Sequence, residues 1–118
     1  MKKLMLAGIL LFLGTFAVFA QRTDNNSGLP TIRIVNNTGY DIFSIYISPS
    51  EDDLWGDDLL GDDILEDGQT FTYQLPFPLS TYSVYDVAIV DEDDDSYTKM
   101  EVTMTDNARI VFTFDDID

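Results

Sequence analysis

The segment YDVAIV, residues 85–90, decides the fold class of this chain. Its residues alternate as a β-strand requires, with Tyr85, Val87 and Ile89 on one face. Ala88 and Val90 make the opposite face apolar as well, and a strand that is apolar on both faces is typical of the middle of a sheet. The segment therefore predicts a central strand.

Five other segments of the chain show the same two-residue alternation. They are TIRIVNN, DIFSIYIS, QTFTYQL, YTKMEVTM and ARIVFTF, at residues 31–37, 41–48, 69–75, 97–104 and 108–114. In the second segment Phe43, Ile45 and Ile47 share one face, and the preceding NNTGY predicts that the first two segments pair as a hairpin. About six strands with short turns predict an all-β fold, namely a small antiparallel β-sandwich or open barrel.

An acidic segment, DDLWGDDLLGDDILEDG at residues 52–68, repeats a five-residue unit three times. A five-residue step turns an α-helix by about 500°, so Leu54, Leu59 and Ile64 do not share a helical face. The paired apolar residues break the alternation of a strand, and three coils are too few for a pentapeptide-repeat β-helix. We therefore expect a compact lid of tight turns, with its acids in water and its apolar pairs docked on the open end of the sandwich.

The start of this lid carries a helix signal. Ser48 can cap a helix, Pro49 suits its first position, and Glu51 lies three residues after the cap, as in a capping box. Gly56 can end the helix in the left-handed conformation. These residues predict a short capped helical turn near residues 49–55.

The first 20 residues have the pattern of a secretory signal peptide. Two lysines precede an apolar stretch that ends in small residues at Ala20. An uncleaved membrane anchor is the alternative, which the shortness of the apolar stretch disfavours. We expect residues 1–20 to be removed on export to the periplasm, the cell surface or the medium. We expect residues 21–30 to form a flexible leader and residues 31–118 a single β domain.

The chain is strongly acidic, with 22 acidic residues, 6 basic residues and a net charge of −16. Loss of residues 1–20 removes two lysines and no acid, which takes the charge to −18. The electrostatic field of this negative charge repels nucleic acid phosphates and anionic lipid headgroups. We therefore expect no nucleic acid partner and no stable membrane insertion after signal cleavage. Cations and an unknown protein or glycan remain as partners. The alternative is that the acidity serves only solubility or adaptation to a salty habitat.

The chain contains no cysteine and no histidine. It therefore has no disulfide and no lipoprotein anchor, and it lacks the side chains that most often titrate or attack near neutral pH. Carboxylates could still catalyse, but the sequence has neither DTG nor DSG, the aspartic protease motifs. We expect a protein that is not an enzyme, and a carboxylate-dependent glycan-active enzyme is the remaining catalytic alternative.

The best candidate site is DEDDDSY, which joins two predicted strands. Asp91, Asp93 and Asp95 stand at alternate positions, a spacing that lets carboxylates converge on a hard cation such as calcium in a turning loop. Ser96 replaces the glycine of an EF-hand and Val102 replaces its bidentate glutamate, which excludes that motif. The spacing predicts a weaker surface calcium loop. The alternative is an acidic turn that keeps the hairpin tip in water.

The acidic repeat holds a second, weaker metal candidate. Asp57, Asp58 and Asp62 place several carboxylate oxygens close together in sequence. Their spacing matches no recognised ligand pattern, so calcium binding there is the less favoured of the two predictions.

Five motifs together resemble a family of small exported bacterial proteins. They are N-x-T-G-Y, Y-I-S-P-S, W-G-x-D-x-L-G, Y-D-V and D-x-D-x-D-x-Y, and they lie between about Ile32 and Lys99. The resemblance implies export and a compact β domain, and no established activity comes with the family. It also implies that five residues act as one motif, namely Trp55, Gly56, Asp58, Leu60 and Gly61. This chain departs from the family in repeating paired aspartates where mixed polar residues are expected.

These patterns lead to one functional hypothesis and one main alternative. The hypothesis is an exported, non-enzymatic β-sandwich module of unknown partner that binds calcium through its acidic loops. The alternative is a structural or adhesive cell-envelope protein whose acidity serves only solubility.

Overall fold

The computed structural model describes residues 28–118, so the expected signal peptide and residues 21–27 of the expected leader lie outside the described range. The described chain forms six strands, β1 (Thr31–Asn37), β2 (Ile42–Pro49), β3 (Thr70–Gln74), β4 (Val84–Asp91), β5 (Ser96–Thr103) and β6 (Ala108–Thr113). A 3-10 turn, Phe114–Asp116, follows β6. The prediction of an all-β fold with about six strands is confirmed. Over residues 28–118, no helix has the length and apolar character needed to span a membrane.

The strands form two three-stranded sheets, in the orders β3-β1-β6 and β2-β4-β5. Strand β4 lies in the middle of its sheet, as the apolar character of both its faces predicts. Every strand pair is antiparallel except β1 and β6, which run parallel. The first sheet is therefore mixed, whereas the second is antiparallel.

The predicted hairpin between β1 and β2 is wrong, because these strands belong to different sheets. The connecting residues instead carry the chain from one sheet to the other. Asn36 is fully buried there, and its Nδ2 donates to the carbonyl oxygens of Tyr40, at 2.7 Å, and Leu65, at 3.0 Å. Asn and Gly signal a change of chain direction, but they do not determine whether the next strand pairs with the previous one.

One hydrophobic core fills the space between the sheets. Its strand residues include Ile32, Ile34, Ile110 and Phe112 from the first sheet and Ile45, Val87, Ile89 and Tyr97 from the second. The inward faces predicted for β1 and β4 are therefore confirmed. The prediction for Phe43 is wrong, because a bulge between Ile42 and Ser44 shifts the alternation. As a result Ile42 is fully buried and Phe43 is 43% exposed.

The acidic repeat runs along the edge of β2 that β4 does not occupy. Ile42 and Leu65 exchange two backbone hydrogen bonds of 2.8 and 2.9 Å, and the Leu59 N–H donates to the Ile45 carbonyl oxygen at 2.8 Å. The repeat thereby pairs backbone groups of an edge strand that would otherwise be open to another chain.

Only the second apolar residue of each repeat unit is buried. Trp55 packs on Tyr46 and Ala88, in a cluster separate from the main core, whereas Leu60 and Leu65 enter the main core. Of the residues that precede them, Leu54 and Ile64 are exposed, whereas Leu59 is partly buried and packs on the main core. The compact lid therefore exists, but it covers the edge of β2. It docks both apolar residues of the middle unit and only the second one of the first and third units.

The predicted helical turn near residues 49–55 is wrong. The structure describes all of these residues, and they contain no helix. Strand β2 continues through Pro49, which pairs with Tyr85 of β4. Sheet pairing outweighs the local helix signal, as tertiary context often does. Gly56 does adopt the left-handed conformation, at φ +87°, but it follows no helix.

Candidate functional site

The loop between β4 and β5 is a narrow turn closed by backbone hydrogen bonds. The Asp91 N–H donates to the Asp95 carbonyl oxygen at 2.9 Å, and the Asp94 N–H donates to the Asp91 carbonyl oxygen at 3.0 Å. Asp94 takes a left-handed conformation, φ +67°, which aspartate tolerates better than most residues. The loop also contacts the start of β2, because the Glu92 N–H donates to the Asp41 carbonyl oxygen at 2.9 Å.

The Asp91 carboxylate holds this loop together from inside. Asp91 is 1% exposed, and its Oδ1 accepts hydrogen bonds from the N–H groups of Asp93, at 2.8 Å, and Asp95, at 3.0 Å. Its Oδ2 accepts a 2.8 Å hydrogen bond from the hydroxyl of Tyr97, which is fully buried. Burial, followed by this hydrogen bond to Asp91, raises the pKa of Tyr97 well above its ordinary value.

The same loop brings Asp91, Asp93 and Asp95 together. One carboxylate oxygen from each lies within 4.8 Å of the others, and Asp93 and Asp95 are exposed. A carboxylate offers about four acceptor positions, and three of those on Asp91 are occupied by the hydrogen bonds described above. The predicted convergence of the three side chains is observed, and metal binding stays a prediction.

The three acids of the second candidate do not form such a group. Among residues 28–118, three potential ligands converge only in the β4–β5 loop. Asp57 and Asp62 are exposed, whereas Asp58 serves the fold. Its Oδ1 accepts 3.0 Å hydrogen bonds from the N–H groups of Ile45 and Leu60, which fastens the repeat to β2.

Asp86 is a third structural carboxylate, and its role was not predicted from the sequence. It is 1% exposed and accepts hydrogen bonds from the Ser50 hydroxyl, at 2.6 Å, and the Glu101 N–H, at 2.8 Å. Glu101 has a φ of +52° at a register shift between β4 and β5, so Asp86 supports a bulge. The available signal was an acid inside YDVAIV, a segment otherwise apolar on both faces.

A groove of about 560 Å³ lies between the acidic repeat and the edge strands of the two sheets. Ile47 of β2 and Tyr73 of β3 line it. The side chains that the repeat contributes to the lining are those of Asp52, Asp53, Leu54, Trp55, Asp57 and Leu59. The groove was not predicted from the sequence, because it depends on how residues 47–59 turn and on the approach of Tyr73 from the other sheet.

Comparisons with known proteins support the fold and not a function. No protein-family model matches the chain, and no curated protein matches it. Among solved structures, the NMR structure of a protein from Eubacterium rectale aligns with a TM-score of 0.57 and 13% sequence identity. The alignment covers 78% of this chain and 84% of that one. At this identity the likeness concerns the fold alone.

Proposed function

We propose that this chain is an exported, non-enzymatic β-sandwich module that binds calcium through the β4–β5 loop. The observation that carries the proposal is the approach of oxygens from Asp91, Asp93 and Asp95 to within 4.8 Å of one another. Calcium takes several oxygen ligands in flexible geometry, and two of these three side chains are exposed and able to adjust. Water and backbone carbonyls would complete the coordination.

Electrostatics supports a cation at this place. The chain has a net charge of −16, which raises the local concentration of divalent cations around it. Within the loop, Asp93 and Asp95 carry like charges near the buried Asp91 carboxylate, and a bound cation relieves this repulsion. We expect an affinity typical of extracellular modules, about 0.1–1 mM.

Sequence features support export and the absence of catalysis. The signal-peptide pattern of residues 1–20 and the resemblance to small exported bacterial proteins both favour a periplasmic, surface or secreted location. The lack of histidine and cysteine favours a binding role over a catalytic one. The partner of such a module is a protein or glycan rather than nucleic acid, because the chain's acidity repels phosphates.

A specific observation favours the second candidate, a structural or adhesive envelope protein whose acidity serves solubility. Asp91 already accepts three hydrogen bonds inside its loop, so its carboxylate has a role in folding without any metal. Under this alternative Asp93 and Asp95 are only solvated, and calcium acts on the protein no differently from other divalent ions.

Thermal unfolding in calcium and in magnesium, at matched ionic strength, separates the two candidates. About 5 mM calcium should stabilise a site of the expected affinity by about 1–2 kcal/mol, which raises the melting temperature by several degrees. Magnesium should raise the melting temperature less, because it demands a tighter octahedral site. Equal effects of the two ions would refute the calcium proposal.

Two double variants locate the effect. The double variant Asp93→Asn with Asp95→Asn should remove the calcium-specific rise in melting temperature and should leave the Asp91 hydrogen bonds in place. Asp57→Asn with Asp62→Asn removes the same charge from the repeat and should retain this rise. A rise that survives the first pair of changes would show that this loop is not the site.

A further inference from the structure

The groove beside the acidic repeat combines an apolar lining with an acidic rim. Ile47, Leu54 and Leu59 give it apolar walls, and Leu54 is 56% exposed. Three exposed acids, Asp52, Asp53 and Asp57, also line it. A ligand that fits both features has an apolar group flanked by positive charges.

The rim acids have no structural role of the kind found elsewhere in the chain. Asp58, Asp86 and Asp91 each accept at least two hydrogen bonds within the domain. By contrast, the carboxylates of the three rim acids accept none from residues 28–118. Their oxygens are available to a ligand.

A buried hydroxyl of the main core, that of Tyr85, lies near two residues that line the groove, although Tyr85 itself does not line it. Tyr85 is 1% exposed, and within residues 28–118 its hydroxyl is the buried side-chain polar atom that lacks a hydrogen-bond partner. Burial is the main cause that raises the pKa of Tyr85, and the proximity of Tyr73, Tyr82 and Asp52 raises this pKa further. Tyr73 and Asp52 line the groove, and Tyr85 pairs with Pro49, another lining residue. A buried polar group without a partner is costly. This hydroxyl is closed to a ligand in the groove, so the inference rests on the shape and charge of the groove.

The aromatic side chains disfavour a sugar as the occupant. Stacking on a sugar or base requires an open ring face, but Trp55 is only 4% exposed. Its ring lies 6.5 Å from that of Tyr46 and packs on Ala88. Tyr73 also lines the groove, but it is only partly exposed and stacks on Phe71, at 6.1 Å between ring centroids. The fully exposed side chains of the lining are those of Asp52, Asp53, Leu54 and Asp57.

We infer that the groove binds a basic peptide segment in which lysine or arginine side chains flank an apolar one. The positive groups meet Asp52, Asp53 and Asp57, and the apolar group meets Leu54, Leu59 and Ile47. The inference rests on the proposed role as a binding module and names its partner class. It does not depend on the calcium loop.

The single tryptophan of the chain, Trp55, lines the groove and reports its occupancy. The probe is the capped peptide Lys-Leu-Lys-Leu-Lys, titrated at low ionic strength while the emission of Trp55 is followed. We expect a saturable change in emission, with an affinity that falls as salt is added. The capped peptides Lys-Ser-Lys-Ser-Lys and Glu-Leu-Glu-Leu-Glu should bind at least about fivefold more weakly, because each lacks one of the two features.

Variants separate the groove from the general field of the protein. The double variant Asp53→Asn with Asp57→Asn should lower the affinity for Lys-Leu-Lys-Leu-Lys about fivefold or more. The control, Asp62→Asn with Asp94→Asn, removes the same charge outside the groove and should lower this affinity by less than about twofold. Leu54→Ser should also lower the affinity for the peptide. Because Leu54 is exposed, this change should leave the fold intact. All variants should keep the wild-type circular dichroism spectrum.

Besides failure of the peptide to bind, three results would overturn the inference. One is equal weakening by the two double variants, which would mean attraction by net charge alone. Another is binding detected by calorimetry with no change in Trp55 emission. The third is saturable binding of neutral maltohexaose in place of the peptide. Failure of the peptide with an intact calcium-specific stabilisation would leave the calcium proposal standing.

Discussion

The Tyr97 hydroxyl donates a 2.8 Å hydrogen bond to Oδ2 of Asp91, and both residues are buried at the base of the β4–β5 loop. This pair joins the end of β4 to the start of β5 through side chains. It also leaves Oδ1 of Asp91 to accept the N–H groups of Asp93 and Asp95. The positions of the exposed acids of this loop therefore depend on a buried tyrosine.

Removal of the Tyr97 hydroxyl should destabilise the domain. The variant Tyr97→Phe leaves a buried carboxylate oxygen of Asp91 without its donor, at an expected cost of about 1–3 kcal/mol in the free energy of unfolding. The control Tyr40→Phe removes a hydroxyl from a side chain that is 38% exposed and should change stability by less than about 0.5 kcal/mol. Urea unfolding of the two variants measures the difference. Equal stability of Tyr97→Phe and wild type would show that this hydrogen bond does not hold the loop.

The domain should lose stability in alkali. Burial is the largest cause that raises the pKa of Tyr46, Tyr73, Tyr85 and Tyr97 in the folded state. A raised pKa in the fold means that the stabilisation is complete below the unfolded tyrosine value of about 10 and is lost progressively above it. Urea unfolding followed from about pH 8 to about pH 11 should show this fall. Tyr97→Phe should make the fall shallower, and an unchanged slope would contradict the assignment of Tyr97.

Within one repeat unit, adjacent apolar residues should differ sharply in their effect on stability. Leu65 is fully buried in the main core, so Leu65→Ala should cost about 2–5 kcal/mol. Ile64 is 43% exposed, and Ile64→Ala should cost less than about 1 kcal/mol. Chemical denaturation measures both. Similar costs for the two changes would mean that the repeat does not dock as described.

Adjacent acids in the repeat should also differ in their effect on stability. Asp58→Ala leaves the N–H groups of Ile45 and Leu60 without their acceptor and should cost about 1–3 kcal/mol. Asp57→Ala removes an exposed charge from a chain of net charge −16, so it should leave stability unchanged or raise it slightly. Melting temperatures compared in low and high salt provide the measurement. If both changes destabilise equally, the loss reflects the repeat as a whole and not the Asp58 hydrogen bonds.

The alternation of apolar residues was enough to predict the strands. A strand places successive side chains on opposite faces. The alternation of Phe71, Tyr73 and Leu75 therefore identifies the inward face of their strand from the sequence itself. The alternation failed at Phe43, because a bulge inserts one residue and reverses the faces. A bulge forms where it suits the partner strand, and a single strand does not reveal it.

The spacing of Asp91, Asp93 and Asp95 predicted that their side chains converge, because a short loop keeps alternate residues on one side. The sequence did not show that Asp91 is buried and accepts hydrogen bonds from its own loop. The roles of Asp58 and Asp86 were equally hidden, although one signal for Asp86 was its place in an apolar strand. In a chain with 22 acids, composition alone does not distinguish a solvated carboxylate from a structural one.

The sequence by itself determined the fold class, the central position of β4 and the acidity of the loops, since these depend on short-range periodicity and composition. Only the tertiary structure decided that β1 pairs with β3 and β6 rather than β2, and that the acidic repeat covers the edge of β2. It also decided that residues from β2, β3 and the repeat form one groove. The physical reason is that strand pairing and edge coverage depend on contacts between residues far apart in the chain, and the burial gained in those contacts outweighs local turn and helix preferences.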